Sequence, residues 1–325
     1  MKKKIGFISS LGVSGIAIFW LVQKVSFQEV EQSVRDMNYL GLLSAALIYL
    51  IGFFPRGLRW RLMLSTIKNV PFSDSTQAVV LGYAANNVLP FRMGEIVRAF
   101  VMGKNNNISK LTCLASIATE RVLDGIVIVT LLGLSMISLT EIIRDAEVVN
   151  NILLTGGLIF LFAVLTLIFI LINSRGILRI WKRFFGQFGL AIIDKFINSL
   201  SFLRTKKIFL QVLLLSVVVW LIEGAMFVLI LWLMGFQHSV AIGYFCMGII
   251  NLGILLPSAP GYVGVFQAAS VFAFLSLGYS KSTGLVYGLL VHLAQYIPIT
   301  IIGIIIFVRF GYRFGEFYRN IYSST

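Results

Sequence analysis

Two short charged blocks in this chain could do chemistry. The first is Arg92-x-x-Glu95-x-x-Arg98, and the second is Glu120-Arg121-x-x-Asp124. Guanidinium groups present a planar fork of donors that matches phosphate oxygens. A carboxylate flanked by two of them leaves net positive charge facing whatever approaches. In the second block, Glu120 and Asp124 are four residues apart and Arg121 and Asp124 three, so all three can share one face of a helix. Two readings are open for that face: a self-neutralising pair that joins helices, or one wall of a polar cavity. Arg56 and Arg59 form a third basic group with Arg61, which either joins such a site or anchors the fold by snorkelling to an interface. Glu223 stands alone in an apolar run, with no basic neighbour at helical spacing. There is no metal-ligand spacing, no phosphate-cradling glycine loop and no nucleophile beside a base. The expectation is a binding or transport protein, not an enzyme, with no cofactor and no metal. His238 and His292 are isolated, and Cys113 and Cys246 read as small core residues.

The charges need elements to position them, and the surrounding sequence is almost entirely apolar. Hydrophobic residues make up 58% of the 325-residue chain and charged residues 12%, with a mean hydropathy of +0.93, which excludes an ordinary soluble domain. The net charge of +14 does not point to nucleic acid, because the basic residues gather at the ends of apolar runs, as in cytoplasmic loops of membrane proteins. No polar stretch is long enough for a core of its own, so residues 1–325 read as a single integral membrane domain.

Two segments break the apolar pattern. One runs from Asn86 through Pro90 and Gly94 to Arg98. The other runs from Leu255 through Pro257, Pro260, Gly261, Tyr262 and Gly264 to Gln267. Proline removes a backbone donor and glycine frees the dihedrals, so helices entering these segments should unwind. Unwound backbone at membrane depth is tolerated only inside protein or beside a water-filled cavity. Paired interruptions of this kind mark the binding sites of transporters.

Loop charges thread the chain. Lys2–Lys4 and a retained span over Ile5–Val22 precede an acidic external loop; a second span, about Tyr39–Phe54, returns to the basic junction of Arg56, Arg59, Arg61 and Lys68. The segment 73–103 then dips in and returns. Spans follow at about Leu111–Leu139 and Ile152–Ile172. Amphipathic helices over 177–203 lie on the inner leaflet, followed by a span at Ile208–Leu233. A second dipping segment, 241–277, carries no Lys or Arg, and the last span is Gly284–Val308. The predicted fold is all-α: about six full spans plus two re-entrant broken-helix hairpins in an inverted repeat, with both ends cytoplasmic in the plasma membrane.

Four ordered motifs carry a family resemblance: Arg56-x-x-Arg59-Trp60, then Asn87-x-x-Pro90-x-Arg92-x-Gly94-Glu95-x-x-Arg98, then Glu120-Arg121-x-x-Asp124, then Leu256-Pro257-x-x-Pro260-Gly261-x-x-Gly264. Together they resemble the flippase-like membrane domain of the lysylphosphatidylglycerol synthase family, over nearly the whole chain. The resemblance implies movement of a lipid between leaflets. Because the chain stops at Thr325, it also implies a flippase-like domain without the synthase part. Many relatives place a second glycine where Tyr262 stands and a glutamate where Gln267 stands. Gln cannot release a proton, and the Tyr ring would narrow or retune a headgroup site.

The expected partner is a phospholipid or a polyprenyl-phosphate-linked lipid, bound where the two hairpins meet, with no nucleic acid. Two alternatives accompany this: an accessory subunit scaffolding an enzyme of lipid or glycan synthesis, and a membrane-embedded transferase.

Overall fold

The computed structural model describes residues 38–309, except 90–92, 145, 187–188 and 257. The expected first span Ile5–Val22, the N-terminal lysines and the tail beyond Arg309 lie outside the described residues, as do Pro90, Arg92 and Pro257.

Among the described residues the chain is helical throughout, without strands. Helices α1 (Tyr39–Ile51) and α2 (Phe53–Leu64) form one span of 26 residues with a break at Gly52. Pro55 falls in the first turn of α2, where its missing N–H leaves no helical bond unmade. The side chain of Asn38 starts the span by accepting the N–H of Gly41 at 3.0 Å. Next come α3 (Phe72–Val88) and α4 (Gly94–Asn106), then the long helices α5 (Lys110–Ser138) and α6 (Ala146–Ile172). After the short helices α7 (Ser174–Phe185) and α8 (Leu190–Ser199) come α9 (Lys206–Leu233), α10 (Ser239–Gly253), α11 (Val265–Ser276) and α12 (Lys281–Arg309).

Five elements, α1–α2, α5, α6, α9 and α12, are long and apolar enough to cross a bilayer. The helices α3, α4, α10 and α11 have 17, 13, 15 and 12 residues. At 1.5 Å per residue these reach about 18–26 Å, short of the roughly 30 Å hydrocarbon core. Each pair instead packs arm against arm as a hairpin, α3 on α4 and α10 on α11. With α6 crossing once between the halves, α9 runs opposite to α1–α2, and the two hairpins enter from opposite faces.

The packing follows this inversion. Where α2 lies on α3 and α4 on α5, α9 lies on α10 and α11 on α12. Across the halves, α3 packs on α12 as α10 packs on α5, while α2 and α9 pack on each other at the centre. Every one of these contacts has its counterpart, as an inverted repeat requires. The amphipathic stretch expected over 177–203 is two helices. Helix α7 carries Arg179, Lys182 and Arg183 with Ile180 and Phe184 exposed, and α8 packs on α5. Cys113 and Cys246 are buried free thiols.

One expectation is corrected. The second span does not end at Phe54 with a solvated basic junction; it continues to Leu64 and takes Arg56 and Arg59 into the core, 2% and 0% exposed. Burial is tolerable because carboxylates from other helices meet both groups. Of the expected junction, Arg61 remains half-buried and donates from Nε to the Val70 carbonyl at 3.1 Å.

A charged chamber between the hairpin tips

The first tip is built by close approach. Helix α4 begins so near α3 that a Cβ on Gly94 would sit 1.9 Å from the Gly82 carbonyl oxygen. The Gly94 N–H donates to Asn86 Oδ1 at 2.7 Å, satisfying an open donor at the helix start. The second tip is a single 3₁₀ turn, Pro260–Tyr262, followed by Gly264. Gly264 donates its N–H to Gln267 Oε1 at 2.9 Å, which caps α11. The Gln267 amide is thereby oriented, and its NH₂ faces His292 Nδ1 at 2.8 Å. That ring nitrogen must accept, so His292 is the neutral tautomer protonated on Nε2.

Asn87 fastens the first tip to α12. Its amide donates to Thr300 Oγ1 at 2.8 Å and to the Tyr296 carbonyl at 3.3 Å, and the Tyr296 hydroxyl donates back to the Asn87 carbonyl at 3.2 Å. Gly261, at φ 68°, lies in the same contact, and a Cβ there would meet the Tyr296 ring at 2.5 Å.

Beside this junction lies a cavity of about 390 Å³. Its wall includes Asn87, Gly94, Glu95, Arg98, Arg121, Asp124 and Tyr262, drawn from both hairpins and α5. The α5, α9 and α12 residues of the wall come from the middle turns of membrane-length helices, which sets the cavity near mid-height. On the lipid side α6 covers it with Ile159 and Phe160, and the Phe160 ring fills the space left by Gly125.

Behind the wall is an ion-pair network. Arg98 grips Glu120 with both nitrogens, at 2.8 and 2.6 Å, and its guanidinium lies 3.9 Å from the centre of the Trp60 ring. Arg59 binds Asp124 at 2.5 Å and Glu120 at 3.2 Å. Arg121 reaches Asp124 at 3.2 Å, as the three-residue spacing predicts, and its sequence neighbour Glu120 at 2.5 Å. Asp124 also accepts from Trp220 Nε1 at 2.9 Å, and Arg59 donates to Ser216 Oγ at 3.0 Å, so α9 is stitched to the network. Burying ions costs several kcal/mol each, and only good geometry with further hydrogen bonds offsets it. Bidentate forks and the indole donor supply part of that compensation, while the Nε atoms of Arg59, Arg98 and Arg121 have no partner among the described residues.

Glu223 is not alone. It pairs with Arg56, whose guanidinium sits among the rings of Tyr49, Phe53 and Tyr83 at 5.9, 5.3 and 5.5 Å. Glu223 lines the cavity, and Gln295 Nε2 approaches it at 3.4 Å.

The sequence-predicted residues thus fall into two groups. Glu95, Arg98, Arg121, Asp124, Asn87, Gly94 and Tyr262 reach the wall; Arg56, Arg59, Glu120, Pro260, Gly261, Gly264 and Gln267 stand behind it. Both open readings of the second charged block hold together: Glu120 is a buried joint, and Arg121 with Asp124 faces the cavity. Sequence reasoning missed Tyr49, Tyr83, Trp220, Asn251, His292, Gln295 and Tyr296 in the wall. The amides Asn251 and Gln295, inside apolar helices, were the signal available. Three atoms of wall residues, Glu95 Oε2, Arg98 Nε and Arg121 Nε, are buried without a hydrogen-bond partner among the described residues.

Short paired hairpins, an inverted repeat and a cavity at mid-height define a multi-pass all-α membrane protein. Residues 7–303 match the family described as the lysylphosphatidylglycerol synthase TM region, and the chain belongs to that family. It is 24% identical over 303 residues to the glycosyltransferase AglD of Haloferax volcanii, covering 82% of this chain and 48% of the relative. The chain therefore spans about half the length of that relative. It is 23% identical over 317 residues to a UPF0104 membrane protein of Methanocaldococcus jannaschii, covering 90% of this chain and 91% of the relative. A UPF0104 membrane protein of Methanothermobacter thermautotrophicus is 21% identical over 334 residues, covering 97% and 98%. No solved structure matches.

Proposed function

We propose that this protein takes the phosphate-bearing headgroup of an amphipathic lipid into the chamber and passes it between the leaflets of the cytoplasmic membrane, without changing it chemically. Both chain ends are cytoplasmic in this reading, following the loop charges. The observation that carries it is the cavity itself: a charged, two-sided chamber between hairpin tips at mid-height, screened from lipid by α6. Charges at that depth are costly and mark pathways for polar groups.

Arg98 is held by Glu120 through two nitrogens and lies against Trp60, whereas Arg121 meets Glu120 and Asp124 through Nη2, so the guanidinium best placed for a phosphate is Arg121. Its side chain is 37% exposed and its Nε has no partner among the described residues. Arg92, expected at the same tip, lies outside the described residues. The experiment is a leaflet-sidedness assay in proteoliposomes with labelled phospholipids and isoprenyl phosphates. Arg121→Ala removes a charge-assisted contact of roughly 1.5–3 kcal/mol, so translocation should fall about tenfold or more. Arg121→Lys should recover part of it, keeping charge but not the fork. Wild-type rates in Arg121→Ala would defeat the reading.

A second reading is favoured by one comparison: the relative AglD, named a glycosyltransferase, is about twice the length of the region it shares with this chain. The domain would then serve beside an enzyme of lipid or glycan synthesis. Retained lipid binding with no translocation, together with recovery of such an enzyme in pull-downs, would favour it.

A further inference from the structure

The lipid reading names a phosphate; the uncharged part of the chamber wall bears on what else the headgroup carries. Around the chamber four guanidiniums, of Arg56, Arg59, Arg98 and Arg121, stand against four carboxylates, of Glu95, Glu120, Asp124 and Glu223. The described charges balance. Glu120, Asp124 and Glu223 each hold a guanidinium already, while Glu95 Oε2, at the wall, has no hydrogen-bond partner among the described residues and remains an acceptor for a headgroup donor. What the wall offers beyond those pairs is rings and amides: Tyr49, Tyr83, Tyr262 and Tyr296, with Asn251 and Gln295. Ring faces carry partial negative charge and attract polarised C–H groups, while amides and carboxylates suit vicinal hydroxyls. That combination fits an uncharged, polyhydroxylated ring. The volume of about 390 Å³ lies toward the small end of the roughly 300–1,000 Å³ typical of small-molecule sites.

Tyr262 sharpens this. It occupies the second hairpin tip with φ 61°, in the left-handed region, where a bulky side chain costs backbone energy that glycine would not. Strain of this kind persists where the surroundings enforce it, and it concentrates at ligand contacts. Tyr262 forms part of the chamber wall, next to Gly261, whose backbone lies against Asn87 of the first tip and Tyr296 of α12.

We propose that the aromatic-and-amide wall is a carbohydrate subsite, that the lipid bears a glycosyl headgroup, and that Tyr262 is a specificity-determining contact for the sugar. The proposal rests on the lipid-binding reading. The phosphate lies toward Arg121 and the sugar ring against the second hairpin and α12.

The test uses the full chain in detergent and three ten-carbon isoprenyl phosphates identical in chain: the bare phosphate, its ethanolamine ester and its glucosyl ester. Affinities are read by calorimetry. The wild type should bind the glucosyl form at least tenfold more tightly than either of the others. Tyr262→Gly should collapse that ratio toward one while a cooperative thermal melt shows that the variant is folded; Tyr262→Phe should retain most of the ratio. Equal affinity for all three probes would overturn the carbohydrate subsite while leaving lipid binding in place. A preference for the ethanolamine ester would overturn it in favour of an ammonium site. A ratio unchanged in Tyr262→Gly would remove Tyr262 from the proposal. Failure to bind any probe would sink the lipid reading itself.

Discussion

The first half of the molecule brings Arg56, Arg59, Glu95, Arg98, Glu120, Arg121 and Asp124 to the centre, whereas the matching elements of the second half bring Glu223 alone among carboxylates and guanidiniums. The second hairpin, Ser239 to Ser276, has no Asp, Glu, Lys or Arg at all. Its tip is built from Pro260, Gly261 and Tyr262, and its neighbours contribute His292, Gln295 and Tyr296. The helix plan is repeated but the chemistry is not. A shared backbone therefore leaves each half free to specialise: the first supplies a rigid charged frame, and the second supplies neutral surface. The halves are joined electrostatically at few points, chiefly Arg56 with Glu223 and Asp124 with Trp220.

If the first half is a frame, breaking its central joint should cost more than any change in the second. Glu120→Ala strips Arg98 of its bidentate partner and Arg59 and Arg121 of a shared one. Removing one member of a buried pair typically costs about 3–5 kcal/mol, because the other charge stays buried and unmatched. The variant should express poorly and melt far below the wild type in detergent. Pairing it with Arg98→Met should restore part of the loss, by taking away the orphaned charge. An unchanged melting temperature for Glu120→Ala would mean that the frame is not where the stability lies.

The plan of the fold was legible because apolar runs, loop charges and the Pro/Gly breaks each act locally. The bounds expected for the spans at 111–139 and 208–233 fall within two residues of α5 and α9. The frame was only half legible. Arg121 and Asp124 share a helix, so spacing exposed their pairing. Arg59 meets Asp124 across 65 residues and Arg56 meets Glu223 across 167, and no local pattern carries such partners. Without them, Arg56 and Arg59 look like the end of a span, and the helix seems to stop ten residues early. The aromatic wall was hidden for another reason: Tyr49, Tyr83 and Tyr296 sit in apolar helices, where rings are ordinary packing residues.

The two tips offer a sharper comparison, because each depends on one glycine for a different reason. Gly94→Ala would drive a methyl group into the Gly82 carbonyl, which is backbone and cannot turn aside. Forcing α3 and α4 apart should cost about 1–3 kcal/mol, as overpacking does. Gly261→Ala meets instead the edge of the Tyr296 ring, a side chain that can move, and must hold φ 68°. The left-handed backbone alone costs about 1–2 kcal/mol. Thermal melts of the two variants should therefore rank Gly94→Ala as the more damaging. The reverse ranking would place the tighter tip in the second half.

The smallest expected effect lies where the halves touch without charge. Asn87 donates to Thr300 Oγ1 at 2.8 Å and also to the Tyr296 carbonyl at 3.3 Å, so it reaches α12 twice. Thr300→Val removes one acceptor and keeps the shape; the Asn87 amide retains its other partner. The loss should be near the net worth of one neutral hydrogen bond, about 0.5–1.5 kcal/mol. Asn87→Ala removes both bonds, and part of its effect should vanish when Thr300 is already Val. A double-mutant cycle of melting free energies isolates that shared part, expected at about 0.5–1 kcal/mol. A coupling near zero would mean that the first tip merely lies beside α12, held in place by the frame. A measurable coupling would mean that the hairpins are latched to the opposite half directly, so that any opening of the chamber must first release Asn87 from α12.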